Sequence, residues 1–483
     1  MKNFNLAEKR TNFRWIVCSM LFLATTINYL DRQVLSLTWK DFIAPEFHWT
    51  NNDYGNITGL FSIFYAVFML FAGHIVDKLD TKKGFLTAIG IWSVGACLHA
   101  FCGIVTSGIV AGEWFVGFKG AREAIAAAGN AGMIANVSVT LFILARMVLA
   151  MGESGNYPAA IKTTAEYFPK KDRAFATSLF DSGSVVGALG APLVIPLLAE
   201  KWGWEMAFMA IGLLGFLWMG LWLFVYKKPT GNPRVNTPEL EYIQQDNQRD
   251  HFVKISLGTE KVSFVQCLKY RQTWAFALGK FFTDGVWFFF LFWMPAYLSS
   301  VYGFKSSDPH AQLAISLLYL ISLFSIVGGW LPSYFVDKKG MNPYAGRMKT
   351  MLIFASFLLL ALLAQPLGHI SYWLPVIFIG IAVAGHEAWS ANIFSTVGDM
   401  FPKKAIATVI GIGGMAGGCG AFIINKSSGV LFDYADRVQL SFMGFQGIEA
   451  GYFIIFSFCA LSHLIGWVVM KLLVPAYKPI TDL

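Results

Sequence analysis

Apolar segments of about 20 residues or more recur about twelve times along this chain, separated by short polar stretches. A helix of that length crosses the hydrocarbon core of a bilayer, because each residue adds about 1.5 Å to its length. Hydrophobic residues make up 56% of the sequence and charged residues only 14%, which is too apolar for a water-soluble globular protein. The sequence therefore predicts an all-α protein that crosses the lipid bilayer many times.

The predicted spans have approximate limits at residues 14–36, 55–76, 84–105, 138–161, 174–199, 204–226, 273–300, 311–336, 348–367, 372–396, 405–428 and 451–473. With the N-terminus placed in the cytoplasm, most of the 37 Lys and Arg residues fall on the cytoplasmic side. The positive-inside rule then predicts that both termini are cytoplasmic. The net charge of +8 follows from this topology, so we expect no binding to nucleic acid.

A long polar stretch and a repeat divide the chain into two halves. Residues 227–272 are polar and proline-containing and predict a cytoplasmic linker between six-span bundles at 1–226 and 273–483. The sequence from Phe168 to Lys171 recurs from Phe401 to Lys404, and both copies lead into glycine-rich spans in which helices can pack closely. Extra residues in the first half predict a periplasmic insert at about 103–137, to which the sequence assigns no role.

Charged side chains inside the predicted spans point to function, because a charge at membrane depth costs several kcal/mol unless it is paired or meets a ligand. Asp31 and Arg32 lie in the first span, and Arg146 and Glu153 lie in the fourth. Arg146 and Glu153 are seven residues apart and share one helix face. They predict either a polar cavity between helices or a static ion pair that orients the helices.

Three motifs carry a resemblance to a known family. They are Gly73-x-x-x-Asp77-Lys78 after the second span, Asn28 to Arg32 in the first, and Arg146 followed by Gly152 to Gly155 in the fourth. With them the chain resembles the major facilitator superfamily, and within it the anion:cation symporter family, most closely bacterial hexuronate transporters. The motif departs from the usual pattern at Asp80, where glycine is commoner, and its second copy has Ser333 in place of an aspartate.

The resemblance implies a major facilitator fold with about twelve transmembrane helices in two six-helix bundles. It also implies a monomeric proton symporter of the bacterial inner membrane that imports glucuronate or galacturonate through alternating access. Gly73, Asp77 and Lys78 would form the gating motif, and Asp31 and Glu153 would carry the proton.

The chemistry of a sugar acid selects candidates for the binding site. Arg32, and second to it Arg146, offers a planar fork that binds a carboxylate with two hydrogen bonds. Further candidates are His386, Trp389 and Asn392 in the tenth span, Lys280 one turn from Asp284, and Tyr29, Tyr65, Tyr157 and Asn425 as hydroxyl partners. Packing, or an internal Lys280 to Asp284 pair, is the alternative for these residues. We expect Asp181 to be a further polar wall residue.

Other functional classes lack their motifs. The sequence contains no His-Glu-x-x-His, no Gly-x-Ser-x-Gly, no metal-spaced Cys and His cluster and no phosphate-binding Gly-x-x-x-x-Gly-Lys loop. We therefore expect no enzyme, no metal and no cofactor, with the proton as coupling ion. The alternatives are a symporter for an aldonate or aldarate, sodium in place of the proton, or a transporter-like membrane sensor.

Overall fold

The structure, a computed structural model, describes residues 10–245, 263–481 and 483. Its helices are α1 Phe13–Thr38, α2 Ala44–Phe47, α3 Asn51–Leu79, α4 Thr81–Ala111, α5 Phe118–Ala127, α6 Ala131–Glu153, α7 Asn156–Tyr167, α8 Lys170–Trp202, α9 Trp204–Val225, α10 Thr237–Gln244, α11 Phe264–Cys267, α12 Arg271–Tyr302, α13 Pro309–Ser322, α14 Ile326–Lys339, α15 Pro343–Phe357, α16 Ala361–Gly368, α17 Trp373–Met400, α18 Lys403–Val438 and α19 Gly447–Leu473. The strands β1 Ser441–Phe442 and β2 Phe445–Gln446 pair as a short antiparallel hairpin.

Twelve segments of the described chain are long and apolar enough to cross a membrane, as predicted. Span 1 joins α1 to α2 through the π-helical turn Trp39–Ile43, span 4 joins α6 to α7, span 8 joins α13 to α14, and span 9 joins α15 to α16. Spans 2, 3, 5, 6, 7, 10, 11 and 12 are α3, α4, α8, α9, α12, α17, α18 and α19. The helices extend beyond most predicted limits because the hydropathy signal stops at the hydrocarbon edge, whereas backbone hydrogen bonding continues beyond it.

The insert and the linker are partly helical. Span 3 continues to Ala111, and α5 occupies the middle of the predicted 103–137 insert. In the linker, Glu239 of α10 accepts a hydrogen bond from Arg14 Nη1 at 3.0 Å and one from Thr11 at 2.5 Å. These bonds attach the first part of the linker to the start of span 1.

Glycines let spans approach until backbones touch. A Cβ atom on Gly187 of span 5 would lie 2.4 Å from the carbonyl oxygen of Thr26 in span 1. A Cβ on Gly420 of span 11 would lie 1.9 Å from the carbonyl oxygen of Phe281 in span 7. Neither site has room for a side chain, which confirms that the glycine-rich spans serve close packing.

The chain folds into two six-helix bundles that meet along spans 1 and 7, 2 and 11, and 5 and 8. Because the described chain has twelve candidate crossings, the start of span 1 and the end of span 12 lie on the same face of the protein, called here the terminal face; the opposite face is the far face. At the far face, Asp41 of span 1 accepts hydrogen bonds from Ser299 and Ser306 near the end of span 7.

A second set of far-face contacts joins spans 2 and 11. Asp433 accepts hydrogen bonds from Asn51 and Asn52 at 2.7 to 2.9 Å, and Lys426 donates to Asn52 and Asn56 at 2.5 and 2.6 Å. The two halves are therefore fastened together at the far face. A cavity lies between them, lined by residues of spans 1, 5, 7, 8 and 10.

Candidate substrate-binding site

Four charged side chains form a buried cluster in the first half. Asp31, Arg32, Arg146 and Glu153 are each at most 4% exposed. Arg32 donates from Nε at 3.1 Å and from Nη2 at 2.7 Å to the same oxygen, Glu153 Oε2. The pair joins spans 1 and 4, so the guanidinium fork already holds a carboxylate.

The cluster has unused hydrogen-bonding capacity. Within the described part of the chain, Glu153 Oε1, both carboxylate oxygens of Asp31 and Arg146 Nη1 have no hydrogen-bond partner. Asp31 is near enough to Arg146 and Glu153 for their charges to act on it. Because buried charged groups are costly without partners, this cluster favours an additional proton or ligand.

The local sequence positions Glu153 at a break in span 4. Helix α6 ends at Glu153 and α7 begins at Asn156. A Cβ on Gly152 would lie 2.2 Å from the backbone nitrogen of Trp92, so the glycine allows spans 3 and 4 to touch here. This contact holds the end of α6 at the depth at which Arg32 reaches Glu153.

Aromatic rings surround the two guanidinium groups. The Arg32 guanidinium lies 5.2 Å from the ring centre of Tyr29 and 4.9 Å from that of Tyr65, and the Arg146 guanidinium lies 5.2 Å from that of Phe61. Cation–π attraction at these distances stabilises a buried cation. Tyr29 and Tyr65 are therefore neighbours of the predicted carboxylate-binding arginine.

A cavity of about 560 Å³ lies between the halves, within the size range of small-molecule sites. Tyr29 and Asp181 line it from the first half, and Trp287, Tyr319 and Glu387 line it from the second. Hydroxyl groups add to the wall, from Ser178, Ser182, Ser184, Ser322 and Ser325. Asp181 is thus confirmed as a wall residue, and the wall combines aromatic surface with hydroxyl and carboxylate groups.

The predicted residues of the second half are engaged with other protein groups. Lys280 pairs with Asp284 at 2.9 Å, and His386 Nδ1 lies 3.1 Å from His463 Nε2. Asn392 donates to two backbone carbonyl oxygens. Trp389 is fully buried against His463, and Asn425 accepts a hydrogen bond from Trp293. Their roles in substrate binding stay predictions.

Two predicted positions lie away from the cluster. Tyr157 is 43% exposed and packs edge-on against Phe180. In the predicted gating motif, Gly73 has open space around it and Lys78 is exposed, whereas the side chain of Asp77 lies outside the described residues. Asp80, the departure from the usual motif, has φ 69°, a backbone conformation that glycine adopts more easily.

The sequence analysis did not identify Tyr319 or the serines as wall residues, and it did not place Glu387 in the cavity wall. Tyr319 interrupts an apolar span, which is a usable signal, but a single hydroxyl in a helix does not show which face meets the other half. That information depends on how the two bundles pack.

Comparison with known proteins gives a consistent result. The chain matches the sequence profile of the Major Facilitator Superfamily over residues 21–425. It is 27% identical over 468 residues to the "Hexuronate transporter" of Escherichia coli (strain K12), a match that covers 96% of this chain and 95% of the relative. It is 24% identical over 456 residues to the "Probable galactarate/D-glucarate transporter GarP" of the same strain, covering 92% and 94%.

Solved structures agree on the fold. The chain superposes on a bacterial homolog to the human lysosomal transporter Spinster, in an inward-facing and occupied conformation, with a TM-score of 0.67. The superposition covers 98% of this chain and all of the other, at 17% sequence identity. At that identity, the likeness concerns the arrangement of the helices.

Proposed function

This chain belongs to the Major Facilitator Superfamily, and we propose that it is a secondary active transporter that imports a hexuronate, such as glucuronate or galacturonate, by proton symport. Transport of this kind uses alternating access, in which two bundles rock about a central site. The observation that carries the proposal is the buried Arg32 to Glu153 pair beside the cavity between the bundles.

The pair suggests how proton and substrate are coupled. Arg32 holds Glu153 with Nε and Nη2, one edge of its guanidinium, so a substrate carboxylate that needs the same edge competes with Glu153. A proton on Glu153 removes its charge, weakens the pair and frees the arginine for substrate. Asp31, which has no hydrogen-bond partner in the described structure, is the second carboxylate of this proposed relay.

The cavity suits the rest of a sugar acid. Tyr29, Tyr319 and the wall serines offer hydroxyl groups to a polyol, and the indole of Trp287 offers a face on which a sugar ring can stack. The chain matches the hexuronate transporter of E. coli along nearly its whole length, which supports this substrate class.

Orientation completes the proposal. We place the terminal face in the cytoplasm of a bacterium, because most Lys and Arg residues lie on that side. The cavity then lies towards the cytoplasm, because its wall includes Ser178 and Gly329 from the terminal-face halves of spans 5 and 8. The far-face contacts of Asp41 and Lys426 close the periplasmic entrance. The described conformation is the one that would release substrate into the cell.

Uptake into proteoliposomes tests the proposal. The purified protein, with proton or sodium gradients imposed separately, is offered labelled glucuronate and a panel of unlabelled sugar acids. We expect accumulation driven by an inward proton gradient. Dependence on sodium would replace the proton, and the absence of uptake of any sugar acid would refute the proposed function.

Glu153→Gln separates binding from coupling, because a glutamine resembles a protonated glutamate but releases no proton. We expect exchange of internal for external substrate to persist and accumulation driven by the proton gradient to be lost. Asp31→Asn should give a related defect. Glu200→Gln, at an exposed position near the far end of span 5, serves as the control and should accumulate substrate like the wild type. Full accumulation in both test variants would remove these carboxylates from coupling.

A second candidate is an aldarate symporter, which the match to a probable galactarate/D-glucarate transporter favours. An aldarate carries a carboxylate at each end, whereas a hexuronate carries only one. Competition between labelled glucuronate and unlabelled glucarate distinguishes the two.

A further inference from the structure

Two acidic residues face the same cavity from opposite halves. Asp181 belongs to span 5 and Glu387 to span 10, and both are wall residues. Among the described residues that line this cavity, none is a lysine or an arginine. A site for an anion therefore presents two carboxylates to its ligand.

Neighbouring charges do not neutralise this pair. Asp181 and Lys280 are both near enough to Glu387 for their charges to act on it. Lys280 is already paired with Asp284 at 2.9 Å, so Asp284 balances its charge. The buried cluster adds no net charge nearby, because the formal charges of Arg32 and Arg146 balance those of Asp31 and Glu153.

Arg32 lies behind the cavity wall at Tyr29, whereas Asp181 and Glu387 are part of the wall. Arg32 lies 5.2 Å from the ring of Tyr29, and Tyr29 lines the cavity together with Asp181 and Glu387. A substrate carboxylate bound by Arg32 is thus separated by a tyrosine from the acidic pair. The remainder of the substrate extends along the wall that contains Asp181 and Glu387.

We propose that Asp181 and Glu387 are specificity residues, which bind hydroxyl groups of the substrate and select monoanionic over dianionic sugar acids. The inference rests on the proposed function, since it takes Arg32 as the group that binds the first carboxylate. An ionised carboxylate accepts hydrogen bonds from two sugar hydroxyls. A second carboxylate on the substrate donates no hydrogen bond to Asp181 or Glu387. Their negative charges repel it strongly, because the dielectric constant of the site is low.

Competition in substrate exchange tests the inference. Proteoliposomes loaded with glucuronate take up labelled glucuronate, and the half-inhibitory concentrations of unlabelled glucuronate and glucarate are measured. The variants are Asp181→Asn, Glu387→Gln, the double variant and the control Glu200→Gln. The amides keep the shape and hydrogen-bonding capacity of the acids but remove their charge.

We expect wild type to prefer glucuronate, and the ratio of glucarate to glucuronate half-inhibitory concentrations to fall about tenfold or more in the double variant, since the repulsion is removed. Each single variant should give part of this change, and Glu200→Gln should give none. A variant that binds substrate without exchanging it is compared by thermal stabilisation of the purified protein. The concentrations of glucarate and glucuronate that raise the unfolding temperature equally then give the same ratio.

Two results would overturn the inference. One is a wild-type protein that glucarate inhibits as well as glucuronate does; the other is an unchanged ratio in the double variant. Either leaves the proposed function standing as long as wild type takes up a sugar acid. Failure of wild type to transport any sugar acid would instead refute the proposed function itself.

Discussion

Removing the carboxylate of Asp41 should open the far face. Asp41 lies in the π-helical turn Trp39–Ile43 of span 1 and accepts three hydrogen bonds from the second half. Its Oδ1 accepts from Ser299 Oγ at 3.0 Å, and its Oδ2 accepts from Ser306 N at 2.6 Å and Ser306 Oγ at 2.7 Å. All three must break when the far face opens, so the variant Asp41→Ala weakens only the closed state.

The size of the effect follows from these bonds. A hydrogen bond to a charged group contributes about 1.5 to 3 kcal/mol. Asp41 is half-buried and its three bonds share one carboxylate, so we take about 3 kcal/mol for the set rather than the full sum. That energy corresponds to a change of about 100-fold in the ratio of closed to open far face. Asp41→Asn, which keeps one acceptor oxygen, should give about half of the free-energy change.

Pulsed electron paramagnetic resonance measures the opening. Spin labels at Asn130 and Ile370, exposed positions near the far face in the first and second half, report the separation of the bundles in a background with the six cysteines replaced. Asp41→Ala should shift the distribution to longer distances. Asp53→Ala is the control, because Asp53 forms its described side-chain bonds within its own helix cap, to Thr50. An unchanged distribution in Asp41→Ala would refute the assignment of this contact as the far-face gate.

Three further predictions concern the carboxylate site, helix packing and backbone strain. Arg32→Lys keeps the charge but loses the fork, so binding of glucuronate, measured by calorimetry, should weaken about 10-fold or more; near-normal affinity would move the carboxylate site to Arg146. Gly187→Ala should lower the free energy of unfolding by about 1 to 3 kcal/mol, because its Cβ would lie 2.4 Å from a backbone oxygen. The loss is measured as a lower unfolding temperature in detergent. Gly190→Ala on the same helix, with open space around it, should show no such loss; equal losses would refute the packing argument. Asp80→Gly should be more stable than Asp80→Ala by about 1 kcal/mol, since φ 69° strains alanine; no difference in unfolding temperature would contradict the strain.

The sequence by itself determined the number of spans and the duplicated halves. The membrane imposes the first signal directly, because a helix must be about 20 residues long and apolar to cross it. The second came from the repeat of the segment Phe168 to Lys171 at Phe401 to Lys404. The sequence also identified four functional candidates, Asp31, Arg32, Arg146 and Glu153, because charges at membrane depth are rarely incidental.

Only the tertiary structure decided which of these charges form pairs. Arg146 and Glu153 share a helix face, but seven residues separate them by about 10 Å along the axis, so no direct bond between them follows from the shared face. Glu153 instead bonds to Arg32 from another span. Asp181 and Glu387 likewise occupy different halves and meet only at the cavity. Helical periodicity fixes which residues share a face of one span, whereas the packing of spans against each other determines what that face contacts.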